Sequence, residues 1–277
     1  MFSQLSGPIG VFDSGYGGLT IFDKIRTLLP SYDYVYLGDN ARAPYGPRSF
    51  EVVYRFTRQA VIHLFNEGCP LVILACNTAS AKALRTIQQK DLAELDASRR
   101  VLGVIRPTVE IIDDVSRTKH VGILGTSGTI SSESYSIEIA KMYPHIKVTG
   151  EACPMWVPLV ENDEFDSPGV DYFVKKHIGH ILSADPDIDT LVLACTHYPL
   201  LMGKIRDFLP KGITLFSQGE RVAESLDDYL KRHPEMESRL TKNGTSRFLT
   251  TESADKFSEA ASIFLHQPIT VEQITID

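Results

Sequence analysis

The chain has 277 residues, 43% of them hydrophobic and 23% charged, with a formal net charge of −7 at pH 7. This length fits one large α/β domain or two smaller ones, and we favour two. The acidic balance, without any Lys/Arg run, excludes nucleic acid and anionic membranes as expected partners. No stretch approaches the roughly 18 to 20 apolar residues of a membrane helix, so we expect a soluble protein.

Strand-like and helix-like segments alternate from the start of the chain. We predict a strand at 9–13, a helix at 18–29, a strand at 34–37, a helix at 50–67, a strand at 71–75, a helix at 79–90 and a strand at 101–105. The pattern restarts with a helix at 107–115, a strand at 121–124, a helix at 131–142, a strand at 148–152, a helix at 170–182 and a strand at 191–194. A helix at 200–208, a strand at 214–216, a helix at 221–232, a strand at 246–250 and a helix at 254–265 close the chain.

This repeated βαβ pattern predicts an α/β fold of two similar doubly wound domains with mainly parallel sheets. We expect residues 1–106 and 214–277 to form the first domain and residues 107–213 the second. The tail would complete the first sheet, so that the chain crosses between the domains twice. The domains would be related by a pseudo-twofold axis, with the active site in the cleft between them.

Two segments of the chain echo each other. Residues 71–78 and 191–197 are both apolar runs that end in Ala-Cys and continue with small polar residues. Residues 10–15 and 120–128 also match, each a short apolar strand followed by a Gly- and hydroxyl-rich turn. Ligands of open α/β sheets collect beyond the carboxyl ends of such strands. Two thiols facing each other across a cleft would suit stereochemical inversion at carbon.

The four cysteines therefore divide into two kinds. A free Cys is most often an inert packing residue, and we interpret Cys69 and Cys153 in that way. The doubled setting of Cys76 and Cys195 favours catalysis instead. We find no secretory signal and no Cys-x-x-Cys pair, which predicts a reducing cytoplasmic location, free thiols and no metal site.

Proton transfer by these thiols needs neighbours that adjust their ionisation, because a free Cys has a pKa of roughly 8.5. Asp13 lies in the turn that pairs with the Cys76 turn, where it can accept a proton or orient the thiol. His197 follows Cys195 by two residues, and its imidazolium form would stabilise a thiolate there.

Several motifs together resemble glutamate racemase, in the family's order and over most of the chain. They lie at 13–18, 38–46, 75–80, 122–126, 153–161 and 195–201. The resemblance implies a cofactor-independent enzyme that interconverts L- and D-glutamate by a two-base mechanism and supplies D-glutamate for peptidoglycan. It also implies a small-molecule partner and a homodimer.

The resemblance assigns roles to individual residues. Cys76 would take the proton from D-glutamate, assisted by Asp13 and Glu161, and Cys195 would take it from L-glutamate, assisted by His197. The residues expected at the substrate are Asp13, Ser14, Pro44, Tyr45, Gly46, Cys76, Asn77, Thr78, Thr126, Cys195, Thr196 and His197.

Simpler roles compete with some of these assignments. Asp13 and Ser14 could cap the helix that begins near residue 18, and Tyr45 could be a surface turn residue. Glu161 lies in an acidic stretch where solvated carboxylates are expected. Arg106 is a spare cation that could form an interdomain ion pair or lie at the site mouth.

Two alternative functions remain open. A racemase or isomerase acting on aspartate, hydantoins or maleate would share the twin thiols, although the Thr-His-Tyr-Pro-Leu string at 196–200 favours glutamate. A Cys-His acyl transferase or hydrolase would use a single nucleophilic thiol and would not need Cys76.

Overall fold

A computed structural model describes residues 6–265 and 267–276. Its strands are β1 (Ile9–Asp13), β2 (Tyr34–Gly38), β3 (Leu71–Leu74), β4 (Arg100–Gly103), β5 (His120–Gly125), β6 (Lys147–Ala152), β7 (Thr190–Ala194), β8 (Thr214–Phe216), β9 (Ser246–Thr250) and β10 (Val271–Gln273). Its helices are α1 (Leu19–Leu28), α2 (Phe50–Asn66), α3 (Asn77–Lys82), α4 (Leu84–Thr86), α5 (Leu92–Leu95), α6 (Ile105–Glu110), α7 (Ile112–Val115), α8 (Ser127–Ser131), α9 (Ser134–Met142), α10 (Trp156–Glu161), α11 (Pro168–Ala184), α12 (Met202–Phe208), α13 (Gly219–Arg232), α14 (Pro234–Glu237) and α15 (Ala254–Leu265).

The strands form two sheets whose described pairings are all parallel. The first sheet has the order β10-β9-β2-β1-β3-β4, and the second has the order β6-β5-β7-β8. The order β2-β1-β3-β4 in the first sheet is therefore repeated as β6-β5-β7-β8 in the second. The predicted α/β class with two similar parallel sheets is confirmed, and β3 and β7 occupy equivalent positions.

One predicted boundary is wrong. The sequence assigns residues from 214 onward to the first domain, but β8 pairs with β7 in the second sheet, with Thr190 opposite Thr214. The repeated order explains this, because β8 is the fourth strand of the second repeat, as β4 is of the first. Strand β9 and the unpredicted short strand β10 do join the first sheet, as expected for the tail.

Three predicted helices are interrupted. The helix predicted at 79–90 is divided at Ala83, where α3 ends and α4 begins. The helix predicted at 107–115 is divided into α6 and α7 at Ile111. The helix predicted at 131–142 is preceded by the separate turn of α8, because Glu133 has a φ of 53°. A left-handed residue cannot continue a right-handed helix, so α9 begins after it.

The inner strands β1, β2, β5 and β7 are buried on both faces, as expected for parallel strands between helices. Alternate residues of β1 face opposite ways: Val11 belongs to the same apolar cluster as Phe22 of α1, whereas Phe12 clusters with Val61 of α2. The strand ends are different, because polar residues follow them directly. Within the described ranges, each helix is too short or too polar to cross a bilayer.

Candidate active site

The carboxyl ends of both sheets meet at a cavity of about 190 Å³. Both candidate thiols line it, Cys76 directly after β3 and Cys195 directly after β7. The predicted site residues found in its lining are Ser14, Pro44, Tyr45, Gly46, Cys76, Asn77, Thr78, Thr126, Glu161, Cys195, Thr196 and His197. The two halves of the repeat thus bring their sulfur atoms to one small cavity.

The Cys76 thiol is buried at the start of α3. Its Sγ accepts a hydrogen bond from the backbone N–H of Ala79 at 3.4 Å and lies 3.4 Å from Ser14 Oγ. Burial is the main cause that raises the pKa of Cys76 to about 12, and the nearby Asp13 carboxylate adds to it. Cys76 is therefore a neutral thiol at neutral pH, a form suited to donating a proton.

Asp13 lies beneath the cavity and is absent from its lining, although the sequence places it at the substrate. It is fully buried, and its Oδ2 accepts the backbone N–H of Gly15 at 3.0 Å. Its Oδ1 has no hydrogen-bond partner among the described residues. Burial raises the pKa of Asp13, partly offset by the charge of His197. In this geometry Asp13 acts on Cys76 through its charge, without a hydrogen bond to the thiol.

His197 joins Cys195 to Glu161. Its Nδ1 lies 3.9 Å from Cys195 Sγ, and its Nε2 lies 3.0 Å from Glu161 Oε1. Burial by itself would lower the pKa of His197, but the bonds to Cys195 and Glu161 outweigh it and raise the pKa to about 10. His197 is therefore an imidazolium at neutral pH, and it places a positive charge 3.9 Å from the Cys195 sulfur.

The predicted assignment of Glu161 to the Cys76 side of the site is wrong. The sequence assigns Glu161 to assist Cys76, whereas its carboxylate binds His197 and so belongs to the Cys195 side. The cause is the packing of α10, whose first residue Trp156 lies edge-on to Tyr198 with ring centroids 4.8 Å apart. That contact holds the far end of α10 over the turn that contains His197.

Threonine hydroxyls form a second polar group in the cavity. Thr78 Oγ1 lies 2.9 Å from Thr126 Oγ1, and Thr129 Oγ1 lies 3.3 and 3.1 Å from these two oxygens. Thr126 also caps α8 by accepting the backbone N–H of Thr129. Hydroxyls and strand-end N–H groups offer donors to an anion without placing a cation in the cavity.

Tyr45 is a buried wall of the cavity, so its interpretation as a surface turn residue is wrong. Its hydroxyl donates to Asp39, which also forms an ion pair with Arg42 at 2.7 Å. Burial raises the pKa of Tyr45 well above its usual value, with the Asp39 carboxylate as a further cause. Because its hydroxyl is engaged by Asp39, Tyr45 contributes shape to the cavity.

Asn77 lines the cavity, but its amide is already bonded on both sides. Its Nδ2 donates to Gln218 Oε1 at 2.7 Å, and its Oδ1 accepts from Tyr135 OH at 2.6 Å. Gln218 Nε2 closes this ring by donating to Tyr135 OH at 2.6 Å and to Thr108 Oγ1 at 2.7 Å. The side chain of Asn77 therefore holds α3 against the second half of the molecule.

Gln218 and Tyr135 were not among the predicted site residues, because their importance depends on contacts between distant segments. We expect Gln218→Leu to destabilise the protein, since each buried polar partner left unpaired costs about 1–3 kcal/mol. Urea unfolding measures this loss. Gln88→Leu is the control, because the exposed Gln88 loses one bond, to Val101 O. A Gln218→Leu protein as stable as the control would contradict the role of the ring.

Other lining residues also escaped the sequence assignment. They are Ala43, Pro47, Ser127, Pro154, Val157 and Pro158. The last three lie within the motif at 153–161, which was a usable signal in the sequence.

The two roles considered for Arg106 were an interdomain ion pair and a position at the mouth of the site, and both are wrong. Its side chain is exposed, pairs with Glu110 in the same helix at 3.0 Å and is absent from the cavity lining.

Comparison with known proteins identifies the family. A family model described as Asp/Glu/Hydantoin racemase matches residues 9–224. The chain belongs to this family. A glutamate racemase of Ruegeria sp. (strain TM1040) is 38% identical over 274 residues, covering 95% of this chain and 98% of the relative. The resemblance to glutamate racemase is confirmed, and with it the enzyme class, a racemase.

Solved structures agree with this assignment. A glutamate racemase isoform from Bacillus anthracis superimposes with a TM-score of 0.88 at 35% identity, covering 97% of each chain. The glutamate racemase of Francisella tularensis, solved in complex with D-glutamate, gives a TM-score of 0.87 at 32% identity and covers 98% of each chain. The two-sheet architecture is therefore that of known glutamate racemases.

Proposed function

We propose that this chain interconverts L- and D-glutamate by proton transfer between two thiols at Cα, without a cofactor. The observation that carries the proposal is that Cys76 and Cys195, from equivalent strands of two sheets, line one cavity. The racemase family and the relatives' names support glutamate as the substrate. Peptidoglycan supply, a homodimer and a cytoplasmic location stay predictions from the resemblance.

The two thiols have different surroundings. The imidazolium of His197 lies 3.9 Å from Cys195 Sγ, whereas burial keeps Cys76 neutral. In the forward direction Cys195, as thiolate, removes the Cα proton of L-glutamate while Cys76 donates its own proton to the opposite face, yielding D-glutamate. The reverse reaction starts from the opposite distribution, with Cys76 as thiolate and Cys195 as thiol. Each turnover moves the pair between these states.

The substrate brings two carboxylates into an acidic protein, so its binding needs local donors. The hydroxyls of Ser14, Thr78, Thr126 and Thr196 line the cavity and can bind carboxylate oxygens. The negative charge that develops at Cα has no cofactor to receive it in this proposal. The site stabilises it by preorganised dipoles and by proton transfer that accompanies bond breaking.

The direct test follows the optical activity of purified protein with D-glutamate and, separately, with D-aspartate, without added pyridoxal phosphate. We expect loss of the circular dichroism signal with glutamate alone. Loss with aspartate alone would indicate the sister activity of the superfamily. No loss with either substrate would contradict the proposal. A thioester trapped at Cys195 would favour the acyl transferase alternative.

The ion pair between His197 and Glu161 predicts a pH effect. The folded-state pKa of His197, about 10, lies above its usual value, so the stability gained from its protonation is complete at low pH and lost as pH rises through 10. We expect kcat/KM to fall on the same alkaline side. Glu161→Gln removes one of the causes that raise this pKa, which moves the fall to lower pH.

The control for this pH profile is Glu164→Gln, a nearby exposed carboxylate without a bond to His197. We expect kcat/KM of Glu164→Gln to fall at the same alkaline pH as kcat/KM of the unmodified protein. An unchanged limb in Glu161→Gln would show that the carboxylate does not act on His197.

A further inference from the structure

A group of metal-ligand side chains lies outside the cavity, on the second half of the molecule. Glu151 of β6 faces His177 and His180 of α11. Glu151 Oε1 lies 2.6 Å from His177 Nδ1 and 3.3 Å from His180 Nδ1. The mechanism proposed above uses none of these residues. The spacing of the four cysteines predicted no metal site, but these three residues offer a carboxylate and two imidazoles instead.

The positions of the three side chains follow from the fold. Residues three apart on a helix lie on one face, so α11 directs both imidazoles at the strand it packs against. The buried His177 is held edge-on against Trp156, with ring centroids 6.1 Å apart. The side chain of His180 is 57% exposed, which leaves a path from solvent. One ligand is therefore fixed and another is accessible.

Both imidazoles share one carboxylate oxygen, and a carboxylate facing two imidazoles is an arrangement that also suits a divalent cation. The three ligand atoms lie within 4.8 Å of one another. In a tetrahedral site with bonds of about 2.0–2.2 Å, ligand atoms are separated by roughly 3.3–3.6 Å, so small side-chain shifts suffice. Two imidazoles and a carboxylate are a donor set of zinc, and imidazole also suits nickel and copper.

We propose that Glu151, His177 and His180 form a binding site for a divalent transition-metal ion. A second cluster, His120, Asp185 and Asp187, is a poorer candidate. Lys147 Nζ already lies 3.2 Å from Asp185 and supplies the positive charge that an ion would bring. No Lys or Arg ion pair to Glu151 occurs in the described ranges, 6–265 and 267–276.

The test uses Trp156, the only tryptophan of the chain, which lies against His177. Untagged full-length protein is titrated with Ni²⁺, a quencher of indole fluorescence, at pH 7.5. We expect saturable quenching that corresponds to one ion per chain and that EDTA reverses. His180→Ala should raise the half-saturating Ni²⁺ concentration at least about tenfold, and Glu151→Gln should raise it in the same direction.

The matched control is His145→Ala. The side chain of His145 is 54% exposed, close to the value for His180, and bonds Asp113 at 2.7 Å, but it belongs to neither of the three-ligand clusters. Its titration should match that of the unmodified protein. Quenching that does not saturate, or an unchanged midpoint in His180→Ala, would overturn the proposal. The latter result would locate the ion elsewhere, for example at the cavity thiols. The readout does not depend on racemase activity.

Discussion

Serine in place of Cys76 or Cys195 is expected to lower the racemisation rate by about 10²–10⁴-fold, the usual contribution of general acid–base catalysis. A serine hydroxyl is far less acidic than a thiol, so it cannot take a proton from carbon at neutral pH. Because each thiol serves one face of Cα, the two losses should be of similar size in the overall interconversion. Circular dichroism with each enantiomer of glutamate measures them.

Hydrogen exchange at Cα distinguishes the roles of the two thiols. In D₂O, Cys76→Ser retains Cys195 and should still exchange the Cα proton of L-glutamate without inverting it. Cys195→Ser should instead exchange D-glutamate. NMR of the recovered substrate reads the deuterium directly. Exchange of the same enantiomer by both variants would contradict the assignment of one thiol to each face.

Cys69→Ala is the matched control for both thiol variants. Cys69 is free and fully buried, like the catalytic pair, but it lies outside the cavity lining. We expect some loss of stability and an unchanged kcat for the folded fraction. A rate near that of the unmodified protein in either Cys76→Ser or Cys195→Ser would remove the basis of the two-thiol mechanism.

The features that could be predicted here depend on short, continuous segments of the sequence. An apolar run ending in Ala-Cys specifies a buried strand and places the thiol at its carboxyl end, whatever the rest of the chain does. Two such runs therefore predicted that Cys76 and Cys195 would lie at equivalent strand ends. The family motifs added the other predicted site residues, and all of these except Asp13 line the cavity.

The errors arise where packing between distant segments decides the outcome. Glu161 reaches His197 because Trp156 packs on Tyr198, a contact that no periodicity encodes. Strand β8 is short and could have extended either sheet, and only its pairing with β7 decides between them. Gln218 carries no motif, since its role exists only when three separate segments converge on its amide.

Gly17→Ala is expected to lower racemisation on the order of 100-fold, through displacement of His197 rather than loss of a reacting group. A Cβ at this position would lie 2.4 Å from both His197 Nδ1 and Thr196 Oγ1, distances at which atoms must move. Thr20 restrains the turn, because its hydroxyl proton is shared between Gly17 O, 2.8 Å from Oγ1, and Thr196 O, 3.0 Å from Oγ1. Because the backbone of the turn is restrained, the side chains of His197 and Thr196 are the groups that must shift, which changes the distance from His197 to Cys195.

The Gly17→Ala variant distinguishes an effect on the position of His197 from an effect on folding. Overpacking costs about 1–3 kcal/mol, so thermal unfolding should show a stable protein with a lowered midpoint. The alkaline limb of kcat/KM should move to lower pH, because a displaced imidazole loses the contacts that raise the pKa of His197 to about 10. Gly203→Ala in α12 is the control, since its Cβ would meet nothing within 4 Å. A Gly17→Ala protein with normal kcat and an unmoved limb would show that the contact between His197 and Cys195 is not required.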